Sequence, residues 1–361
     1  MKSILQKITI LSNWLAVIAL LLAYLAVYIP PDKLWFLAFF GLAYPYLLFL
    51  NLIFVFIWIY LKKRYFWISL LFIGIGYFHL PNILQFKGQK TNSPETIKVI
   101  SFNCHHFISA IKEGEKNEPF QNIIDYLGEQ QADILCIQES RLWGVGELSE
   151  GNLKKTLSKG KKLHLIKPNT TNSYTIFTRY DVKNWGEIHF EKSTNMVLWA
   201  DLKTEMGMIR VYNCHFQSNR IMPDKYQIIK NPKLNIENQT VREVKELGCK
   251  LRVGYQKRAN QVRQVKEHMD ASPYPVIICA DFNDTPVSYT YWQMSKNLKD
   301  TFVESGYGIS NTYRGKLPAL RIDYILTDNR FDAYNYHRHR VKYSDHYPIS
   351  CELILQQSGS E

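Results

Sequence analysis

The apolar residues of this 361-residue chain are concentrated before residue 90, in three long runs without charged residues at their centres. The runs cover about Ile8–Tyr28, about Leu34–Leu61 and about Tyr65–Leu80. A helix needs about 20 residues to cross a bilayer, so the first two runs are long enough, whereas the third offers only about 16. The sequence therefore predicts a membrane anchor of about three transmembrane helices in residues 1–81.

Basic residues beside these runs indicate an orientation. Lys2 and Lys7 precede the first run, "KKR" at 62–64 follows the second, and "PPDK" at 30–33 between them is nearly neutral. Basic flanks stay in the cytoplasm, so three crossings predict a multi-pass protein of the inner or cell membrane with an extracytoplasmic C-terminal domain. If the third run only lies in the interface, that domain is cytoplasmic. The first run also resembles a signal peptide, but no small-residue cleavage site is evident.

The formal net charge of +12 is shared between the two parts of the chain. Residues 1–95 hold eight Lys and Arg against two Asp and Glu, and the remainder holds 36 against 30, so each part carries +6. This modest charge does not require a polyanionic partner, although a cluster from Arg242 to Lys266 could attract phosphates or anionic headgroups.

The six cysteines form no CxxC pair and have no regular spacing. Most fall in strand-like apolar runs, where cysteine is usually a small buried hydrophobe. Unpaired cysteines suit a reducing compartment better than an oxidising one, which counts against the outward orientation.

The rest of the chain is predicted to form one α/β domain at 96–356, after a polar linker at 82–95 and before a disordered tail at 357–361. Wholly apolar strand runs occur together with alternating ones, which predicts two sheets packed face to face with helices outside. The strand runs are 97–103, 133–139, 173–179, 195–203, 208–216, 276–281, 321–327 and 349–355, and the helix runs include about 119–130, 239–270 and 287–297. The long polar stretch 217–250 is a candidate insertion over a site.

Polar residues recur at or near the ends of these strand runs. Ligands and catalytic groups commonly gather where strands leave a sheet, so this recurrence predicts a site there. The residues are Asn103, Glu139, His215, Asp281, Asn283, Asp323, Asp345 and His346.

Each of these residues alone also has an ordinary structural explanation. Asp281, Asn283 and Asp284 could form an Asx-turn before a proline, and Asp323 could pair with Arg321. His215 could be a core histidine with satisfied hydrogen bonds. These explanations do not account for the joint occurrence of acids, amides and two histidines at strand ends.

Six stretches of the chain, taken in order, resemble the endonuclease/exonuclease/phosphatase superfamily, which includes deoxyribonuclease-like nucleases and neutral sphingomyelinases. Each motif is weak alone, but six in the order of the family form a specific signature over about residues 96–356. The stretches are "VISFNCHHF" (99–107), "ADILCIQES" (132–140), "VYNCHF" (211–216), "ICADFNDTP" (278–286), "LRIDYILTD" (320–328) and "YSDHYPI" (343–349).

The resemblance implies a four-layer α-β-β-α sandwich, with two packed mixed sheets flanked by helices, and a divalent-metal phosphoesterase. Glu139 would be the principal ligand of Mg²⁺ or Mn²⁺, with Asn103 beside it and Asp345 completing the metal region. Hard oxygen donors of this kind suit either ion.

The resemblance also implies catalytic roles. Asp281 would orient and deprotonate the attacking water, helped by Asn283. His346, held by Asp323, and His215 would bind the phosphoryl oxygens and stabilise their developing charge.

The chain departs from the pattern of the family at two positions. His105 stands where some nucleases have an acid, which puts a second metal-binding carboxylate in doubt, and Ala280 replaces the Gly usual before "DFN". The strand "RIDYIL" lacks the signature of inositol-polyphosphate phosphatases, and His215 stands where abasic-site endonucleases have Tyr. The substrate is therefore expected to be a phosphate ester of nucleic acid or a lipid headgroup, and no obligate protein partner is inferred.

Three hypotheses follow for the function. The first is a membrane-anchored, metal-dependent phosphoesterase that acts on phosphodiester or phosphomonoester bonds. The second is a catalytically silent, membrane-tethered scaffold on the same fold. The third, a glycosidase built on Glu139 and Asp281, leaves both histidines unexplained.

Overall fold

The computed structural model separates into two compact units. The helical unit comprises Met1–Ile83, Ser218–Arg263 and Asp284–Met294, and the sandwich unit comprises Leu84–Gln217, Gln264–Asn283 and Ser295–Glu361. The tail expected at 357–361 and most of the expected insertion lie outside the described residues. Those residues are 2–107, 118–140, 149–169, 173–218, 238–315 and 320–356.

The strands of the sandwich unit form two six-stranded mixed sheets and one two-stranded sheet. In chain order they are β1 (Leu84–Phe86), β2 (Ile97–Asn103), β3 (Ile134–Gln138), β4 (His164–Ile166), β5 (Tyr174–Thr178), β6 (Asp181–His189), β7 (Met196–Thr204), β8 (Gly207–His215), β9 (Val276–Asp281), β10 (Leu298–Asp300), β11 (Tyr307–Ile309), β12 (Asp323–Asp328), β13 (Phe331–Arg338) and β14 (Ile349–Leu355). One large sheet has the order β13-β14-β2-β3-β5-β4, and the other has the order β10-β12-β9-β8-β7-β6. The small sheet is formed by β1, which lies inside the expected linker, and β11.

Along the chain, the α-helices of the described residues either precede these strands or connect them. They are α1 (Lys2–Leu25), α2 (Leu37–Tyr60), α3 (Phe66–Ile75), α4 (Glu118–Glu129), α5 (Glu150–Ser158), α6 (Asn238–Asp270), α7 (Tyr289–Ser295) and α8 (Thr301–Ser305).

The two large sheets pack through their apolar faces. Val99 of β2 and Cys136 of β3 belong to the same buried cluster as Val211 of β8 and Ile277 of β9, so the core lies between the sheets. Burying these side chains supplies the main driving force for the sandwich.

Helices cover the outer faces of the sheets. The outward residues Ile100 and Phe102 of β2 pack with Ile123 of α4 and Leu153 of α5. On the outer face of the other sheet, the hydroxyl oxygen of Tyr212 in β8 is 2.9 Å from Nδ1 of His268 in α6. The predicted α/β sandwich of two mixed sheets flanked by helices is therefore confirmed.

The predicted strand runs all become strands, with ends within two residues of those expected. Two long strands, β6 and β13, were missed. In β6 no residue is buried, and in β13 only two of eight are, so their sequences lack the apolar pattern that predicts a strand.

The helical unit has two helices that are long and apolar enough to cross a membrane, Ile4–Leu25 and Leu37–Tyr60, each with mean hydropathy 2.1. The expected third span is not supported. Its run forms α3, which has only ten residues, and then a 3₁₀ turn at Tyr77–Asn82. A ten-residue helix is about 15 Å long, half of what a bilayer core requires. The sequence overestimated the number of spans because apolar composition does not reveal where a helix ends.

Polar side chains of the helical unit face one another between α1, α2 and α3. The Asn13 amide nitrogen donates to Oγ of Ser69 at 2.6 Å, and the Ser69 hydroxyl donates to Oδ1 of Asn51 at 3.0 Å. The Trp58 indole N–H donates to Oδ1 of Asn13 at 2.8 Å. Asn13, Asn51, Trp58 and Ser69 are all buried, so this set forms a hydrogen-bonded centre for the three helices.

Candidate active site

Two pairs of parallel strands bring predicted site residues to one edge of the sandwich. β2 runs parallel to β3 with Asn103 opposite Gln138, and β8 runs parallel to β9 with His215 opposite Asp281. Because parallel neighbours end at the same edge, Asn103 emerges beside Glu139, and His215 emerges beside Asp281.

Antiparallel neighbours contribute the other members of the site. β12 pairs with β9 so that its first residue, Asp323, lies opposite Asp281. β14 pairs with β2, which places the loop before β14 beside the end of β2. The Ser344 hydroxyl in that loop donates to the carbonyl oxygen of Asn103 at 2.8 Å.

Asp281 is fully buried and accepts several hydrogen bonds. Its Oδ1 accepts from the backbone N–H of Asn283 at 2.8 Å, and its Oδ2 accepts from the amide nitrogens of Asn103 at 2.9 Å and Asn283 at 3.2 Å. Burial raises the pKa of Asp281, although His346 and His215 act in the opposite direction. The result is a fixed carboxylate that is more basic than an ordinary aspartate.

Glu139 lies among nitrogen groups. Its Oε1 is 3.4 Å from Nε2 of His215 and 3.4 Å from the Asn103 amide nitrogen, and its Oε2 is 3.3 Å from Nε2 of His106. Burial acts to raise the pKa of Glu139, but the surrounding histidines, led by His215 and His106, outweigh it and lower the pKa. Glu139 is therefore ionised at neutral pH, as a metal ligand must be.

His105, noted in the sequence as a departure from the pattern of the family, lies beside Asp345. Its Nδ1 is 3.3 Å from Oδ1 of Asp345. With His106 beside Glu139, each of two carboxylates predicted to bind metal has an imidazole next to it. His106 was missed in the sequence, because nothing in "NCHHF" distinguishes the second histidine from a surface residue.

His215 presents a ring nitrogen to the site. Nε2 is buried and makes no hydrogen bond within the described residues, and it lies 3.4 Å from Glu139 and 3.7 Å from Asp281. On the other side of the ring, Nδ1 is 3.4 Å from the Asn195 amide nitrogen and 3.5 Å from the Tyr174 hydroxyl. Both residues were missed in the sequence, since each stands at the start of its strand run and not at the carboxyl end, where most of the predicted site residues lie.

His346 forms a buried pair with Asp323. Its Nδ1 lies 3.0 Å from Oδ2 and 3.1 Å from Oδ1 of Asp323, and its Nε2 lies 3.9 Å from Oδ2 of Asp281. Burial acts to lower the pKa of His346, but Asp323 and Asp281 outweigh it and raise the pKa to about 10. His346 is thus a cation at neutral pH. The alternative pairing of Asp323 with Arg321 is not formed, because the Arg321 guanidinium binds Asp300 at 2.7 Å and 3.1 Å.

Several site residues have left-handed backbone conformations that are unfavourable for side chains other than Gly. The φ angles are 47° at His105, 51° at His106, 54° at Glu139 and 52° at Asn283. Each costs of order 1 kcal/mol or more, and such conformations concentrate at functional sites.

The donor atoms present suit a divalent cation. Glu139 and Asp345 keep 19% and 32% of their side chains exposed, so hard carboxylate oxygens remain accessible. Ligand atoms of Asp281, Asp323 and His346 also lie within 4.8 Å of one another. In that second group Nδ1 of His346 is held by Asp323, so Nε2 is the ring nitrogen that faces Asp281.

Together, fold and site define an α/β sandwich of the phosphoester-hydrolase type. Residues 100–346 match the family model described as "Endonuclease/Exonuclease/phosphatase family", which is more than half of the chain. The chain therefore belongs to this family, whose members are generally dependent on divalent metal. Residues 6–83 match a model described as a domain of unknown function, DUF8431. No curated protein matches the chain.

Solved structures of the family share the fold at low identity. A family protein from Bacteroides thetaiotaomicron is 17% identical, with 73% of this chain and 100% of that chain covered and a TM-score of 0.50. One from Leptotrichia buccalis is 17% identical over 72% of this chain and 100% of that chain, also with a TM-score of 0.50. The mannosyl-6-phosphatase of Bacteroides thetaiotaomicron is 16% identical over 72% and 100%, with a TM-score of 0.47.

Proposed function

We propose that this chain is a membrane-anchored, divalent-metal-dependent phosphoesterase that hydrolyses phosphodiester or phosphomonoester bonds by in-line attack of water. The observation that carries this proposal is the group of side chains around Asp281. A buried basic carboxylate, a cationic imidazole at 3.9 Å and a second imidazole nitrogen at 3.7 Å lie at one place. This is the set that water activation and phosphoryl-charge stabilisation need.

The protein residues divide the chemistry between them. Asp281, held by Asn103 and Asn283, orients the attacking water and removes its proton. His346 donates from Nε2 to a phosphoryl oxygen, while Asp323 fixes the ring through Nδ1. His215 offers Nε2 to a second oxygen. These two donors stabilise the negative charge that grows on the phosphoryl group in the transition state.

Glu139 would be the principal ligand of the metal ion, Asn103 would lie beside it, and Asp345 would complete the metal site. A bound Mg²⁺ or Mn²⁺ would neutralise charge on the phosphate and on the leaving oxygen. Asn103 would contribute Oδ1, which here accepts from the His105 backbone N–H at 2.9 Å.

The membrane anchor is supported by the surface of the helical unit. Large apolar side chains point outward, with Phe49 65% and Phe56 68% exposed, while Asn13 and Asn51 are buried. An apolar exterior around a hydrogen-bonded polar centre is expected for helices packed in lipid and is unfavourable in water. A signal sequence would account for α1 alone but not for α2.

With two spans, the catalytic domain lies on the opposite side of the membrane from the three-span expectation. Lys2, Lys7 and the "KKR" at 62–64 lie on the same side in both cases, and basic flanks assign that side to the cytoplasm. The catalytic domain follows on that side. Within the described residues the six cysteines form no disulfide with one another, which agrees with a reducing compartment.

A hydrolysis assay of the full chain in detergent or nanodiscs tests the proposal. We expect cleavage of bis-p-nitrophenyl phosphate with Mg²⁺ or Mn²⁺, loss of activity with EDTA, and a fall in kcat of about 10³-fold in Asp281→Ala. Asp332→Ala, which removes a partly exposed acid paired with Lys299, is the matched control. Metal binding without hydrolysis of this ester, DNA, RNA, sphingomyelin or phosphoinositides would favour the scaffold.

A further inference from the structure

A group of arginines close to the candidate active site has no role in the proposed hydrolysis. Arg314, Arg338 and Arg340 line a cavity of about 300 Å³ together with the rings of Tyr313 and Tyr347. Asn311 and Gly315 complete the lining. We call this the arginine cavity.

Tyr347 and the backbone fix two of these guanidinium groups. Arg314 lies over the Tyr347 ring at 5.6 Å from its centroid, and Arg338 lies over the same ring at 5.4 Å. Nη1 of Arg314 donates to the Ser344 carbonyl oxygen at 2.8 Å, and Nη1 of Arg338 donates to the Asn311 carbonyl oxygen at 2.7 Å. Each bond uses one N–H and leaves the others of that group for a ligand.

Across the described ranges, no carboxylate forms an ion pair with Arg314, Arg338 or Arg340 to balance the positive charge of the arginine cavity. Burial and the neighbouring Arg340 lower the pKa of Arg338, because both disfavour its cation. A bound anion would remove this repulsion, because charge-assisted bonds from guanidinium to phosphate are strong and can be bidentate.

The arginine cavity is joined to the catalytic residues through shared segments. Tyr313, which lines the cavity, pairs with His346 in an isolated bridge, and the two rings are 5.2 Å apart. The backbone N–H of Arg314 donates to the Asp345 carbonyl oxygen at 2.7 Å. Tyr347 directly follows His346 in the chain. Tyr313 is therefore a common neighbour of the arginine cavity and of His346.

We propose that the arginine cavity is a second phosphate-binding subsite, so that the preferred substrate carries two phosphate groups at short spacing. The proposal rests on the proposed function for the identity of the first phosphate. The second phosphate has two possible sources, a neighbouring phosphodiester of a nucleic acid strand or a second phosphate of a small ester. The recognition chemistry is the same for both.

A binding experiment tests the subsite without catalysis. Calorimetric titration of the full chain with inorganic pyrophosphate would be compared between Asp281→Asn and the double variant Asp281→Asn with Arg340→Gln. Arg340 is exposed, and no hydrogen bond of its side chain to the protein is found in the described part of the chain, so its loss should spare the fold. We expect pyrophosphate affinity to fall at least about fivefold, since one charge-assisted contact is lost.

The control is Arg330→Gln in the same background, which removes an exposed arginine paired with Asp328 away from the cavity. It should leave pyrophosphate affinity unchanged. Equal weakening by both substitutions, or by neither, would overturn the subsite.

A kinetic experiment identifies the source of the phosphate. The thymidine dinucleotide TpT has one phosphate and TpTpT has two, and glucose 6-phosphate and glucose 1,6-bisphosphate form a second matched pair. We expect at least a tenfold higher kcat/KM for the two-phosphate member of one pair, and a ratio near one for that pair in Arg340→Gln. The pair of compounds that shows the preference identifies the source of the second phosphate.

Hydrolysis with no preference in either pair overturns the subsite and leaves the proposed function intact. If none of the four compounds is hydrolysed, the proposed function is contradicted, and the pyrophosphate titration decides whether the subsite exists.

Discussion

Both carboxylate oxygens of Asp323 lie within 3.1 Å of Nδ1 of His346, and the two side chains are almost completely buried. Asp323 opens β12 and His346 precedes β14, so the pair joins the two sheets of the sandwich at the site. Such a carboxylate fixes the direction of the imidazole and stabilises its positive charge, as in known catalytic carboxylate–histidine pairs.

Asp323→Asn is therefore expected to lower kcat by about 10²-fold or more while changing KM little, because the His346 ring loses its orientation and its positive charge. Steady-state kinetics on bis-p-nitrophenyl phosphate measures this. Asp332→Asn serves as control, since Asp332 is partly exposed and pairs with Lys299 instead. A variant with unchanged kcat would contradict the positioning role of Asp323.

The protonation of His346 should limit activity at high pH. Its pKa is raised to about 10 from the ordinary 6.5, chiefly because Asp323 and Asp281 outweigh burial. The charged form stabilises the folded state fully below pH 6.5, and this contribution is lost as the pH rises through about 10. We expect kcat/KM to fall in the same upper range, and Asp323→Asn to move that descending limb to lower pH. A pH–rate profile in which both proteins share the same limb would assign the limb to another group.

Metal binding should depend on Glu139. Glu139→Gln removes a charged oxygen ligand, and we expect Mn²⁺ affinity measured by calorimetry to fall at least about tenfold. Glu150→Gln, in α5, is the control. If Asp323→Asn weakens Mn²⁺ binding and Glu139→Gln does not, the ion occupies the group of Asp281, Asp323 and His346 instead.

A buried amide joins the two sheets below the site. Asn213 of β8 accepts from the Gln138 amide nitrogen at 2.7 Å and donates to the carbonyl oxygens of Ile137 at 3.0 Å and Thr175 at 2.9 Å. Asn213→Ala would remove three buried hydrogen bonds between the sheets, so we expect the free energy of unfolding to fall by about 2–4 kcal/mol. Denaturant unfolding followed by tryptophan fluorescence measures the change. The exposed Asn184→Ala should shift the midpoint little.

Membrane topology can be measured at a native cysteine. Cys249 is exposed, whereas the other five cysteines are buried. If two spans place the catalytic domain in the cytoplasm, a membrane-impermeant maleimide should label Cys249 only after cells are permeabilised. Cys249→Ser provides the background. Labelling in intact cells would instead support a third crossing by the segment that contains α3.

The sequence predicted the strands that are buried and the residues at their ends. Wholly apolar runs such as 276–281 leave few alternatives to a central strand, and the change from apolar to polar residues at Asp281 marks where the strand leaves the sheet. Strands β6 and β13 escaped prediction because they are not buried along their length. The number of spans was overestimated because the length of α3 depends on its packing partners.

By itself, the sequence determined the order of the buried strands, the family and the set of polar residues at strand ends, because these depend on local patterns along the chain. Only the tertiary structure decided which of those residues meet. The packing of the sheet that holds β2 and β3 against the sheet that holds β8 and β9 brings Asn103 to Asp281 across 178 positions of sequence. The tertiary structure also places His106 beside Glu139 and brings the residues of the arginine cavity next to His346. These contacts depend on strand register and backbone conformation, which no single segment of the chain encodes.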